Sequence, residues 1–175
     1  MQVIIDEWEK PMPWHTARHA IVLARCQGRD VAFMAKPQFS ESGGVAAPRK
    51  RRKFSLHEAN KALPLVQRIV RDIVGTHGQC SHLQASIEST PRGKKNDELE
   101  GQLEGKLQRL HDLVEEINLV GCELKDCSVG LIDFLARHQG RDIYLCWKLG
   151  EERINYWHEL HSGFTGRQPV SVLQD

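Results

Sequence analysis

The chain lacks most of the signatures that announce a reaction. It has no phosphate loop of the Gly-x-x-x-x-Gly-Lys kind, no Gly-x-Gly-x-x-Gly fingerprint and no Gly-x-Ser-x-Gly elbow, so no cofactor is expected. Its five cysteines are odd in number and show no Cys-x-x-Cys spacing. That pattern excludes a full disulfide framework and reads as reduced thiols, with the cytoplasm as the expected compartment. The N-terminus is acidic, and its longest apolar run, residues 20–24, is too short for a secretory signal or a membrane span. Aromatic residues make up only 6% of the chain. Scarcity makes their grouping informative, and residues 144–169 hold two of the four Trp and both Tyr.

What is present describes an ordinary globular domain: 175 residues, 40% hydrophobic, 27% charged. The net charge of +1 conceals an asymmetry. Residues 1–53 carry ten Lys/Arg against five Asp/Glu, and the remainder carries fourteen against eighteen. An acidic body argues against a domain that sheathes nucleic acid. Residues 1–53 also hold four of the seven prolines and the run Arg49-Lys50-Arg51-Arg52-Lys53. They show no sustained apolar stripe and are expected to be a disordered basic extension, with Met34 as an alternative start. His15 and His19 lie at helical two-His spacing, but Thr16 stands where a zinc protease places Glu.

Residues 54–175 are expected to form a single domain. Ser55-Leu56-His57-Glu58 is a capping box, with Phe54 placed to staple onto Ala59. From there Ala59, Leu63, Val66, Val70, Ile73, His77, Cys80, Gln84 and Ile87 recur at alternating steps of four and three. This predicts a helix over 55–88 with a seam near the coiled-coil period. Pro64 is expected to kink it, or to open a second helix after a short first one. Asn96 is the expected cap of another helix over 96–120, with its stripe on Leu99, Leu103, Leu107, Leu110, Val114, Ile117 and Val120 and a stop at Gly121. Two stripes joined by a short loop make an antiparallel helical hairpin.

The period then changes. Residues 130–134 read as a strand, 141–149 alternate cleanly, and 153–159 return as a third strand. The expected fold is α+β: a long antiparallel hairpin followed by a small three-stranded antiparallel sheet. A two- or four-residue loop at Gly150 would set Ile154, Tyr156 and His158 beside Leu145 and Trp147. Trp157 would then fall on the other face with Tyr144 and Cys146, and that face would need a cover: the tail, a second copy or a partner.

Candidate site residues cluster in this C-terminal half. Asp133, Trp157, His158, Glu159 and Arg167 form a possible ligand site, and His158-x-x-His161 suggests a metal pair. Two His three apart on one strand point to opposite faces, so their convergence requires the strand to end near Glu159. Arg167 can pin the tail to Asp133 or Glu159 through a bidentate bond. Cys146 near His158 suggests a thiol nucleophile, though a mid-strand Cys between bulky residues is more often inert. The run Arg49, Lys50, Arg51, Arg52 and Lys53 offers salt-sensitive nucleic-acid contact.

From Phe54 onward the chain resembles a bacterial family of uncharacterised proteins, the domain of unknown function numbered twenty-two-oh-three. The likeness rests on Phe54-Ser55-Leu56, Glu58-Ala59-Asn60, Leu63-Pro64-Leu65-Val66, Glu123-Leu124-Lys125-Asp126, Gly130-Leu131-Ile132-Asp133-Phe134, Leu145-Cys146-Trp147-Lys148-Leu149-Gly150-Glu151 and Trp157-His158-Glu159 through Gly163-Phe164 to Gly166-Arg167-Gln168-Pro169. It implies domain boundaries but no activity, and it places His161 where relatives carry an acidic residue. The expected role is a non-catalytic interaction module that meets a protein partner or a second copy. The rival is a small-ligand or metal site around Asp133, His158, Glu159 and Arg167. Nucleic-acid association through 49–53 is a third reading.

Overall fold

A computed structural model describes residues 52–91 and 93–174. The extension over 1–51, including Met34 and Arg49 to Arg51, lies outside the described residues. Helix α1 (Leu56–Ser89) begins at the capping box. The Glu58 amide donates to Ser55 Oγ at 3.2 Å, and the Ser55 amide donates to Glu58 Oε2 at 2.9 Å. Pro64 does not end the first helix, as one alternative expected; α1 is continuous through it. Proline removes a single amide, and the packed residues on either side (Leu63, Val66) hold the helix together across that gap.

Helix α2 (Lys94–Val120) starts earlier than expected. Its cap is Gly93, while Asn96 lies buried in the first turn. The C-terminal stop is Gly121, left-handed at φ +101°, whose amide donates to the carbonyls of Ile117 and Asn118. The helices pair as a hairpin along the expected seams, with Ala59, Leu63, Val66, Val70, Ile73 and Cys80 of α1 buried, and Leu107, Leu110 and Ile117 of α2.

The sheet has five strands, not three: β1 (Cys122–Asp126), β2 (Leu131–His138), β3 (Arg141–Lys148), β4 (Tyr156–Glu159) and β5 (Gln168–Pro169), antiparallel in that order. Strand β1 is five residues long and three of them are charged, and β5 is only a pair. Neither carries enough alternating apolar residues to register as a strand on its own. Strands β2 and β3 turn through Gln139 (φ +47°) and Gly140 (φ +82°), a two-residue hairpin suited to right-twisted strands.

The link from β3 to β4 overturns the expected face assignment. Leu145 pairs with Trp157, Tyr144 with His158 and Cys146 with Tyr156. Residues 149–155 form a connection of odd length, so the parity flips relative to a two- or four-residue loop. Glu151 holds this loop: its carbonyl accepts Trp147 Nε1 at 2.9 Å and its carboxylate accepts the Lys148 amide at 2.9 Å. Ile154 drops into the core, its amide donating to Asn60 Oδ1 on α1.

One face of the sheet therefore carries Cys122, Ile132, Phe134, Ala136, Ile143, Leu145, Trp147 and Trp157. It packs with Ala59, Leu63, Val66, Ile69, Val70 and Ile73 of α1 and Leu110, Leu113 and Ile117 of α2. The sheet covers only the base of the hairpin. Beyond Ile73 on α1 and before Leu110 on α2, the helices bury only Cys80, Asn96 and Leu107. Cys80, Cys122 and Cys146 are free buried thiols. Cys127 is disulfide-bonded, which corrects the expectation of five reduced thiols: an odd count forbids a full framework, not a single bridge.

Candidate functional site

The face of the sheet turned away from the helices gathers most of the chemistry-bearing side chains. Strand alternation and register decide which. Asp133 on β2 pairs with Glu123 on β1 and Cys146 on β3; His158 on β4 pairs with Tyr144 on β3. Glu123, Lys125, Asp133, Tyr144, Cys146, Tyr156 and His158 therefore share one face. At its centre Asp133 and His158 are 2% and 3% exposed.

His158 has both ring nitrogens engaged. Nδ1 lies 2.8 Å from the Glu159 carbonyl and Nε2 lies 3.2 Å from Asp133 Oδ2. A carbonyl can only accept, so Nδ1 carries a proton, and a further proton is shared between Nε2 and the carboxylate. Burial pulls the imidazole pKa down, but the Asp133 bond and the Glu159 carbonyl more than offset it, leaving His158 above its ordinary value. Lys125 reinforces the carboxylate from one side, 3.9 Å from Asp133 Oδ2 and 2.9 Å from Glu123 Oε2. Its ammonium lies over the Tyr144 ring at 4.7 Å, and the Tyr144 hydroxyl donates to Glu123. Asp133 Oδ1 is buried with no hydrogen-bond partner among the described residues.

Arg167 closes the opposite side. Its guanidinium makes a bidentate pair with Glu151, at 3.0 Å for each bond, and donates to the Cys146 carbonyl at 3.2 Å. It stacks over the rings of Tyr156 at 4.4 Å and Phe164 at 4.9 Å. Arg167 thus pins the tail to the sheet through Glu151, a different carboxylate from the Asp133 or Glu159 expected. The reach of the β3–β4 loop, invisible in the sequence, puts Glu151 within range.

Cys146 sits between these two groups and makes a poor nucleophile. Burial, then the Asp133 charge, push its thiol far above the ordinary range. Neither His158 nitrogen has a lone pair directed at it. General base and nucleophile are thus adjacent but not coupled as thiol catalysis requires.

The structure brings Asp133, His158 and Arg167 to this face, with Glu159 present through its carbonyl while its carboxylate pairs with Arg141 at 3.0 Å. It places Trp157 in the core at 4% exposure, and leaves His161 exposed and away from the cluster. Sequence reasoning missed Glu123, Lys125 and Tyr144, because they belong to the cluster only through the β1–β2–β3 register. Of the basic run, Arg52 lies over the Phe54 ring at 4.4 Å and Lys53 pairs with Asp142 at 2.7 Å.

A second feature lies on the hairpin. Arg71, Asp72, Gly75, Thr76 and Gln79 of α1 and Lys106 and Arg109 of α2 line an open groove of about 330 Å³. Arg71, Lys106 and Arg109 make no ion pair among the described residues. No helix among the described residues is long and apolar enough to cross a membrane.

Compared with known proteins, residues 52–170 match the family described as Uncharacterized conserved protein (DUF2203). No curated protein and no solved structure matches the chain.

Proposed function

Since the chain belongs to the DUF2203 family, which brings no activity with it, we propose that the domain is a non-catalytic interaction module whose working surface is the outer half of the helical hairpin. One observation carries this reading: α1 and α2 run on past the sheet as an arm. From Ile73 to Ser89 alone the helix extends about 24 Å at 1.5 Å per residue. The arm's groove has three cations beside the single carboxylate of Asp72, and none of the three makes an ion pair among the described residues, so the partner it suits is an acidic protein segment. Pairing those cations with carboxylates would neutralise charges that the fold itself leaves uncompensated.

The sheet cluster supports the non-catalytic part of the reading. Its His158, Lys125 and Arg167 are all committed to internal partners, and its thiol is buried. The rival, a catalytic or small-ligand site on the sheet, draws on the buried polar cluster at Asp133; a metal held there for structure alone would leave the module reading intact. The nucleic-acid reading has one of its five charges offset inside the domain, since Lys53 pairs with Asp142.

The test compares three forms of the full chain in partner capture from native extract: wild type, the arm variant Arg71→Glu/Lys106→Glu/Arg109→Glu, and His158→Ala. The module reading expects wild type and His158→Ala to retain the same protein and the arm variant to lose it. Loss in His158→Ala with folding intact, and retention in the arm variant, would move the function to the sheet.

A further inference from the structure

Three side chains of different donor chemistry meet at the centre of the sheet's outer face, on three neighbouring strands. An oxygen of Asp133, the sulfur of Cys146 and a nitrogen of His158 all lie within 4.8 Å of one another. We propose that Asp133, Cys146 and His158 form a binding centre for one divalent metal ion of the zinc class, joining β2, β3 and β4. The inference goes beyond the interaction module and does not depend on it.

The geometry follows from the register. Asp133 and Cys146 are direct cross-strand partners, and His158, opposite Tyr144, is the diagonal neighbour of Cys146 on the same face. Tetrahedral zinc with bonds of about 2.0–2.3 Å holds its ligand atoms about 3.3–3.8 Å apart. His158 Nε2 and Asp133 Oδ2, at 3.2 Å, already stand at that spacing. The sulfur has at most about 1.5 Å to close, within reach of a side-chain rotation.

Two further observations point to a ligand. Asp133 Oδ1 is a fully buried carboxylate oxygen with no hydrogen-bond partner among the described residues. Such an orphan is costly unless something binds it, and an ion held by both oxygens of the Asp133 carboxylate would satisfy Oδ1 together with Oδ2. The His158 Nδ1 proton is fixed on the Glu159 carbonyl at 2.8 Å. That bond is the outer-shell contact that orients a metal-binding imidazole and leaves Nε2 to face the ion.

The donor set selects the metal. One nitrogen, one sulfur and one oxygen suit zinc and its neighbours, whereas magnesium and calcium require oxygen alone. The charges also balance. On binding, the proton shared by Asp133 and His158 leaves to solvent, as does the thiol proton of Cys146. A dication then meets one carboxylate, one thiolate and a neutral imidazole. The charges of Lys125 and Arg167 near the ion are offset by the carboxylates of Glu123 and Glu151 that pair with them. Three protein ligands leave one position for water or a small anion.

The test uses the full chain without a polyhistidine tag, stripped with chelator and then equilibrated with Zn²⁺ or Co²⁺ alone. The proposal expects about one equivalent of bound metal per chain, a raised melting temperature and, with Co²⁺, a thiolate-to-metal charge-transfer band in the near ultraviolet. Cys146→Ser should abolish that band, although Cys80 and Cys122 remain. Asp133→Asn should weaken binding by about 10- to 100-fold. Less than about a tenth of an equivalent at micromolar free metal would overturn the proposal. So would an unchanged cobalt band in Cys146→Ser, which would place the metal elsewhere. If Cys146→Ser does not fold, absence of the band in the wild-type cobalt form would overturn the proposal by itself.

Discussion

At Gly130 the chain turns into β2 with φ +64°, pressed against α1. A Cβ there would lie 2.6 Å from Val70 Cγ1 and 2.9 Å from Leu149 Cβ. Strain and overlap act together, so Gly130→Ala should cost about 2–4 kcal/mol, read as a lowered urea midpoint with an unchanged slope. Asp126, in the preceding turn, is a milder case. Burial raises its carboxyl, but the Ser128 hydroxyl and the Ser128 and Val129 amides more than offset this, holding it below its ordinary value. A depressed acid stabilises the fold above its unfolded pKa and loses that contribution as pH falls through the folded one. Asp126→Ala should therefore cost at most about 1 kcal/mol at neutral pH, and the difference should shrink as pH falls below the ordinary carboxylate range. Denaturation at pH 7 and pH 3 checks both halves. The sequence reads Gly130 as the first residue of a strand and gives Asp126 no structural role. It does not show that Val70, sixty positions upstream, makes the glycine obligatory.

Among the elements, the helices were the most legible. Ser55 and Glu58 mark a start by local chemistry, and the apolar seam needs no knowledge of what packs on it. Asn96 misled because its side chain points to a cap while Gly93 supplies one by backbone alone, leaving Asn96 Oδ1 buried without a partner among the described residues. In the sheet, alternation revealed β3 and the return strand. The faces they present depend on whether the connection holds an odd or even number of residues, and composition does not fix that parity. The flip turns Trp157 into the core and puts Tyr156 and His158 on the outer face of the sheet. A mutant pair tests it directly. Trp157→Ala should cost about 3–5 kcal/mol by leaving a core cavity. Tyr156→Ala, at a position 37% exposed, should cost about 1 kcal/mol through the lost Arg167 stacking. Equal losses in thermal melts would favour the opposite register.

At the scale of the whole molecule, the fold divides into a packed base and an arm. Sheet, hairpin base and tail share one core, while the outer hairpin is held mainly by Cys80 and Leu107. Amide hydrogen exchange should therefore be slow for β2, β3 and residues 59–73, and faster by at least about tenfold over residues 76–105. The hairpin was legible as a hairpin. That it outruns its sheet was not, since the extent of the sheet depends on β1 and β5, which are too short to announce themselves. The candidate site was half legible in the same way: Asp133 and His158 stand out as isolated polar residues in apolar strands, while Glu123, Lys125 and Tyr144 join them only through register. On the proposed reading the arm, and not the sheet, meets the partner. The most direct measurement places a photo-crosslinking residue at Gln79 in the arm's groove, or at Tyr156 on the sheet, and irradiates cells expressing each full-length chain. A discrete crosslinked species is expected from Gln79 and none from Tyr156. A species trapped from Tyr156 alone would contradict that reading.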